Sequence, residues 1–198
     1  MWKEGLYLKE YFCDISTISE EEFNRWFQEM SPQRQDKCNR MIKELAKKQC
    51  IAADHLMKIS LGECLNCSPK EIEIKLFPSG KPYLEGNPVY FSISHSGNLV
   101  ACVVSHRPVG IDVELVRPIE PSIQERICTD AELKHLRSFK NEEERNLRFF
   151  TLWTRKEALF KQNGTLPRND RGNDVLTPGD DLTFQTHIRA GYVISVAK

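Results

Sequence analysis

The sequence predicts an α+β protein of two lobes, residues 1–108 and 109–198. The order of elements carries this: helices followed by several strands, then helices followed by two more strands. The composition agrees, since 198 residues with 40% hydrophobic and 28% charged side chains suffice for buried cores in a globular chain. No stretch repeats as sequence identity.

The opening segment around "LYLKEYF" reads as a strand. "SEEEFNRWFQEM" starts a helix, with Ser19 as N-cap and Glu22 three residues on, the capping-box spacing. A second helical stretch runs from near Ser31 and Pro32 to Leu65, with room for an interruption. Met41, Leu45, Ile51, Leu56, Ile59 and Leu65 form its expected apolar stripe.

"EIEIKLF" alternates as a half-buried strand and runs into the turn signals Pro78, Gly80 and Pro82. "VYFSISHS", "LVACVVS" and "VGIDVEL" follow as strands with tight connections. A proline-flanked link comes next, then a helix opening near Thr129 and Asp130, and a longer helix over "EEERNLRFFTLWTRKEALFKQ". "NGTLPRNDRGNDVLTPGDD" is polar and turn-rich, the composition of a mobile loop. "LTFQTHI" and "GYVISVAK" read as two closing strands.

The formal net charge is zero, so no global field recruits nucleic acid or an acidic surface. No apolar run is long enough to span a bilayer, and "MWKEGLYLKEYF" lacks the basic-then-apolar order of a signal peptide. Seven cysteines, an odd number, then read as reduced thiols in a cytoplasmic protein, a monomer without nucleic-acid or membrane partners. Cys64 and Cys67 form a C-x-x-C without further metal ligands nearby and read as structural thiols.

Four groups of residues carry chemistry. In "VGIDVELV" the strand period puts Asp112 and Glu114 on one face, two residues apart. That pair is either the solvent side of an edge strand or a site for a hard cation, which would turn repulsion into shared attraction. In "WTRKEALFK", Trp153, Glu157 and Lys161 share one helical stripe, read as a surface pair or as a cation ligand beside a phosphate-binding lysine. In "YFSISHSGNLV", His95 lies beside Ser94, Ser96 and Gly97, where it is either structural or a donor to a phosphate. Basic residues crowd the stretch from Arg34 to Lys48, by default a solvated helix face, and Lys81 is held in a turn between Gly80 and Pro82.

Taken together, "GKPYL", "FSISHSG", "VGIDVELV" and "LWTRKEALFK" resemble, in order and approximate spacing, the 4′-phosphopantetheinyl transferases of the single-chain, two-lobed Sfp-type branch. The resemblance runs from about Ser31 to Leu166. It implies the fold of that family, two similar α+β lobes in a pseudo-twofold arrangement, and a holo-[acyl-carrier-protein] synthase activity. In that reaction the phosphopantetheine arm of coenzyme A moves to a serine of an apo acyl or peptidyl carrier protein, leaving adenosine 3′,5′-bisphosphate.

Matched by position, the resemblance implies that Asp112, Glu114 and Glu157 bind Mg²⁺, and that Glu157 and Lys161 are the catalytic side chains. It implies nucleotide contacts from Arg34, Lys37, Gly80, Lys81, Pro82, Ser94 and His95, with coenzyme A in a cleft between the lobes. The carrier would dock against residues 116–128, where Ile119, Ile123 and Ile127 offer an apolar surface and Arg117 and Arg126 offer charge. Two positions depart from the family pattern: Gln49 stands where an arginine is common, and "QNGTL" after Lys161 lacks a lysine and a glycine. Two other classes share this chemistry, a coenzyme-A-binding module of weak activity and a metal-dependent hydrolase of nucleotide pyrophosphates.

Overall fold

A computed structural model describes residues 8–78, 80–86, 89–163, 175–176 and 183–198. The chain divides into two compact units, Met1–Arg107 and Pro108–Lys198.

In the first unit, β1 (Leu8–Asp14) leads to α1 (Glu20–Gln28), α2 (Pro32–Asn39) and α3 (Glu44–Leu65). The expected capping box is present: Ser19 Oγ accepts from Glu22 N–H, and the Glu22 side chain accepts from Ser19 N–H. The second helical stretch is interrupted at residues 40–43, giving α2 and α3 as separate helices. The α3 helix ends at Asn66, whose left-handed φ of 53° stops the helical ladder before Pro69 is reached.

The α3 stripe differs from the expected one. Leu45 and Ile59 are 45% and 37% exposed, while Ile51, Leu56, Met57 and Leu61 form the buried face. Small Ala52 and Ala53 are buried as well, so nearly the whole middle of the helix lies inside the unit.

Two short strands, β2 (Ile74–Leu76) and β3 (Pro82–Leu84), form their own antiparallel pair. The segment "EIEIKLF" is strand only over its last part, because Pro69–Glu71 winds into a 3₁₀ turn first. Then β4 (Tyr90–Ser96) and β5 (Leu99–Ser105) form a hairpin, and the sheet order is β1-β5-β4. The face carrying Val100, Cys102, Val104 and Phe91 joins α1 and α3 in one core.

The second unit opens with β6 (Gly110–Leu115). Residues read as a link contain a short helix, α4 (Pro121–Ile127), followed by α5 (Asp130–Arg137) and α6 (Glu142–Asn163). Ile119, Ile123 and Ile127 are partly buried and pack against this unit's core, so they are not a free apolar face. The strands β7 (Phe184–Arg189) and β8 (Tyr192–Ala197) close the unit in the order β6-β8-β7, all antiparallel. Most of the turn-rich segment expected as a loop, residues 164–174 and 177–181, lies outside the described residues, as does Leu182 at the start of the expected strand "LTFQTHI".

All seven cysteines are free thiols. Among the described residues no helix is long and apolar enough to cross a membrane.

Candidate active site

The acidic strand is not a solvent face. Gly110, Asp112 and Glu114 share one side of β6, and α6 packs against that strand. Glycine at 110 is a packing requirement: a Cβ there would lie 1.9 Å from the Ala158 carbonyl oxygen and 2.5 Å from Gln162 N. The close approach brings the backbone of α6 onto the strand and buries Asp112 to 5% exposure. Leu115, expected on the apolar face, is 36% exposed at the strand end.

Lys161 Nζ donates to Asp112 Oδ1 at 2.7 Å, in an ion pair whose side chains are only 25% and 7% exposed. The other oxygen, Asp112 Oδ2, is buried and meets no hydrogen-bond donor among the described residues. Glu114 Oε2 lies 3.4 Å from Arg117 Nη1. Burial pushes the Glu157 carboxyl above the usual carboxylate range. The Asp112 charge adds to this, Lys161 opposes it, and Glu114 raises it further. Glu157 is therefore within electrostatic reach of both acids of β6 and of Lys161.

All three are hard oxygen donors, the ligand type of Mg²⁺, and when ionised they outnumber Lys161 and Arg117, leaving negative charge for a divalent cation to offset. The residue types thus fit such an ion. Their side chains, however, do not converge as a formed metal centre among the described residues. Lys161 is engaged with Asp112 instead.

Hydroxyls flank this arrangement. Asp112 is paired in register with Ser195, whose Oγ lies 2.8 Å from Thr154 Oγ1 and 3.1 Å from Thr186 Oγ1. Arg155 Nε donates to Thr186 Oγ1 at 3.2 Å, so α6, β8 and β7 are tied by one polar chain, buried at Thr154 and Ser195 and partly buried at Arg155 and Thr186.

In the first unit, Gly80 adopts a left-handed φ of 84°. Its N–H donates to Phe77 O at 2.8 Å, while Phe77 N–H donates to Lys81 O at 2.9 Å. This turn fixes the backbone that carries Lys81 and Pro82, and partial burial pulls the Lys81 ammonium below the ordinary lysine range. The β4 strand sends Ser94 and His95 to opposite faces, Ser94 buried at 7% and His95 exposed. Gln49 Nε2 donates to Gly97 O at 2.8 Å, fastening the β4–β5 turn to α3.

Arg34 and Lys37 share a face of α2, and Lys37 is exposed. Arg34 is held by Asp54, 3.1 Å from Nε to Oδ1. Lys58 Nζ lies 2.9 Å from the other Asp54 oxygen. Asp54, 3% exposed, escaped the sequence reading. Its signal was Lys58 four residues on, the spacing of a helical ion pair.

An acid-rich strand under a long lysine-bearing helix, in a chain of two α+β units, defines a candidate cation- and phosphate-handling protein. The comparisons with known proteins make the class specific. Residues 17–107 match the family described as "4′-phosphopantetheinyl transferase, N-terminal", and residues 108–189 match the 4′-phosphopantetheinyl transferase superfamily. The chain is 30% identical over 148 residues to the 4′-phosphopantetheinyl transferase Sfp of Bacillus subtilis (strain 168), covering 74% of this chain and 66% of that protein. To the 4′-phosphopantetheinyl transferase HetI of Nostoc sp. it is 30% identical over 158 residues, 76% of this chain and 66% of the relative. To the 4′-phosphopantetheinyl transferase gsp of Aneurinibacillus migulanus it is 30% identical over 142 residues, 72% and 59% respectively. The matched region thus spans 66% or less of these curated relatives. The chain belongs to the 4′-phosphopantetheinyl transferase superfamily.

Proposed function

We propose that this chain transfers the 4′-phosphopantetheine moiety of coenzyme A to a serine hydroxyl of an apo acyl or peptidyl carrier protein, with Mg²⁺, releasing adenosine 3′,5′-bisphosphate. The observation that carries this reading is the enclosed Asp112–Lys161 pair at 2.7 Å, with Glu114 on the same side of β6 and Glu157 one turn before Lys161 on α6. Family membership narrows that chemistry to phosphopantetheinyl transfer.

Asp112, Glu114 and Glu157 would hold the cation. Bound there, Mg²⁺ supplies Lewis-acid polarisation of a phosphoryl oxygen and orients the pyrophosphate. Glu157 is also the carboxylate that would take the serine proton, directly or through a water. Lys161 would offset charge on the departing bisphosphate, as phosphoryl transfer relies on positioning and neutralisation. Arg34, Lys37, Lys81, Ser94 and His95 would bind the nucleotide end, with Gly80 and Pro82 shaping the turn that holds Lys81. Arg34, Asp54 and Lys58 together carry one net positive charge, which supports an anion at that end. Free thiols fit the cytoplasm as the place of action.

The test is to incubate the chain with coenzyme A, Mg²⁺ and an apo acyl or peptidyl carrier protein and to follow carrier mass. A gain of one phosphopantetheine unit is expected, and Asp112→Ala should lower the rate by about 10²–10³-fold. Coenzyme A cleavage without carrier modification would indicate hydrolysis, and binding without reaction would indicate a binding module; either replaces the reading.

A further inference from the structure

We propose that Glu132, through its ion pair with Lys156, is a positioning residue for the transfer reaction: it sets the rotation of α6 that presents Glu157 and Lys161 to Asp112. The inference rests on the transferase reading above.

Glu132 is completely buried. One carboxylate oxygen accepts from Thr129 N–H at 2.8 Å and lies 2.9 Å from Lys156 Nζ; the other accepts from Val175 N–H at 3.1 Å. Helix capping does not require this burial. The equivalent residue of the α1 capping box, Glu22, does the same work with its side chain 41% exposed. Enclosing a carboxylate and an ammonium costs several kcal/mol of lost hydration per ion before pairing. The extra contacts of Glu132 reach Lys156 on α6 and Val175 in the chain beyond α6, and both lie in the half that carries the acids.

Successive residues of a helix are about 100° apart, so Lys156 and Ala158 point to opposite sides of α6. Ala158 is held against Gly110 of β6, where its carbonyl leaves no room for a Cβ. Lys156 is held from the other side by Glu132. Glu157 sits between the two fixed points, and Lys161 lies one turn further on. Lys156 thus serves through placement, its ammonium held by Glu132 on α5.

The experiment compares wild type, Glu132→Gln, Lys156→Met, the double variant and Lys156→Arg in the carrier-modification assay, with a thermal midpoint for each. Each single variant leaves a buried charge without its partner, so its midpoint and kcat should both fall. The double variant removes both charges, and its midpoint should return toward wild type. Its kcat should stay about 10-fold or more below wild type, with KM for coenzyme A within about 3-fold, because the tie is gone while the nucleotide contacts remain. Lys156→Arg keeps a cation for Glu132 and should keep kcat within about 3-fold of wild type. A double variant with wild-type kcat would overturn the inference, leaving a purely structural pair. So would Lys156→Arg with a normal midpoint and the low kcat of Lys156→Met. An inactive wild type overturns the transferase reading and this inference together.

Discussion

Gly110 decides how close the helix comes to the acids. The Ala158 carbonyl is where a side chain at 110 would begin, so Gly110→Ala must push α6 outward or bend β6. Overpacking of this kind typically costs about 1–3 kcal/mol. A urea titration of Gly110→Ala should therefore show a lower midpoint, with transfer reduced as well. Glu157 makes a prediction of opposite sign. Its carboxyl is raised in the fold, so the protonated form is favoured there relative to the unfolded chain. Stability from that group is present at low pH and is lost as pH rises through its folded-state pKa. Glu157→Gln should accordingly raise the thermal midpoint of the metal-free protein at neutral pH while abolishing transfer, an exchange of stability for function. A lower midpoint in that variant would contradict the burial of the charge. The types of these site residues were legible in the sequence, and their partners were not. Nothing in "GIDVEL" indicates that its acidic face lies under a helix, because that depends on how closely Ala158, far along the chain, approaches Gly110. The i,i+4 spacing offers Lys58 to Asp54, but nothing local indicates that Asp54 also holds Arg34, 20 residues earlier.

Elements with a strong local signal were read close to their observed bounds. The Ser19–Glu22 box opens α1, the β4, β5 and β6 alternations are strands, and α6 runs over Glu142–Asn163. The failures have physical causes. The α4 helix is only 7 residues long and begins at Pro121, so proline punctuation outweighed the Ile119, Ile123, Ile127 periodicity. The α3 stripe was misjudged because the helix is buried on nearly all sides in its middle, which erases the contrast that periodicity measures. At this scale the cap is the testable part. Ser19→Ala should lower stability by about 1 kcal/mol in denaturant titration, since Oγ satisfies the Glu22 N–H and the hydroxyl also orients the Glu22 side chain. A change indistinguishable from zero would mean that water caps α1 equally well.

The two units share one plan. In each, the first strand pairs with the last, the last pairs with the one before it, and a 22-residue helix packs on the sheet. Each has its own hydrophobic cluster. If the chain binds coenzyme A and Mg²⁺ as proposed, both should raise the thermal midpoint, with about 2.7 kcal/mol of added stability at 100-fold excess over Kd. Asp112→Ala should lose the Mg²⁺-dependent part and keep the part due to coenzyme A alone; an equal gain in both proteins would remove Asp112 from the cation's ligands. The shared plan also allows the halves to be compared position by position. Ser195, the fourth residue of β8, contacts Thr154; Cys102, the fourth of β5, lies 3.3 Å from Ser60. Opposite Ser195 stands Asp112, and opposite Cys102 stands Tyr11. Glu114 corresponds in the same way to Cys13, and Gly110 to Lys9, which pairs with Glu63 of α3. One half thus keeps tyrosine and cysteine where the other keeps two acids. A single architecture has been used twice, once with tyrosine and cysteine packed against the core and a lysine at its rim, once with two acids and a glycine, and three positions on one strand mark the difference.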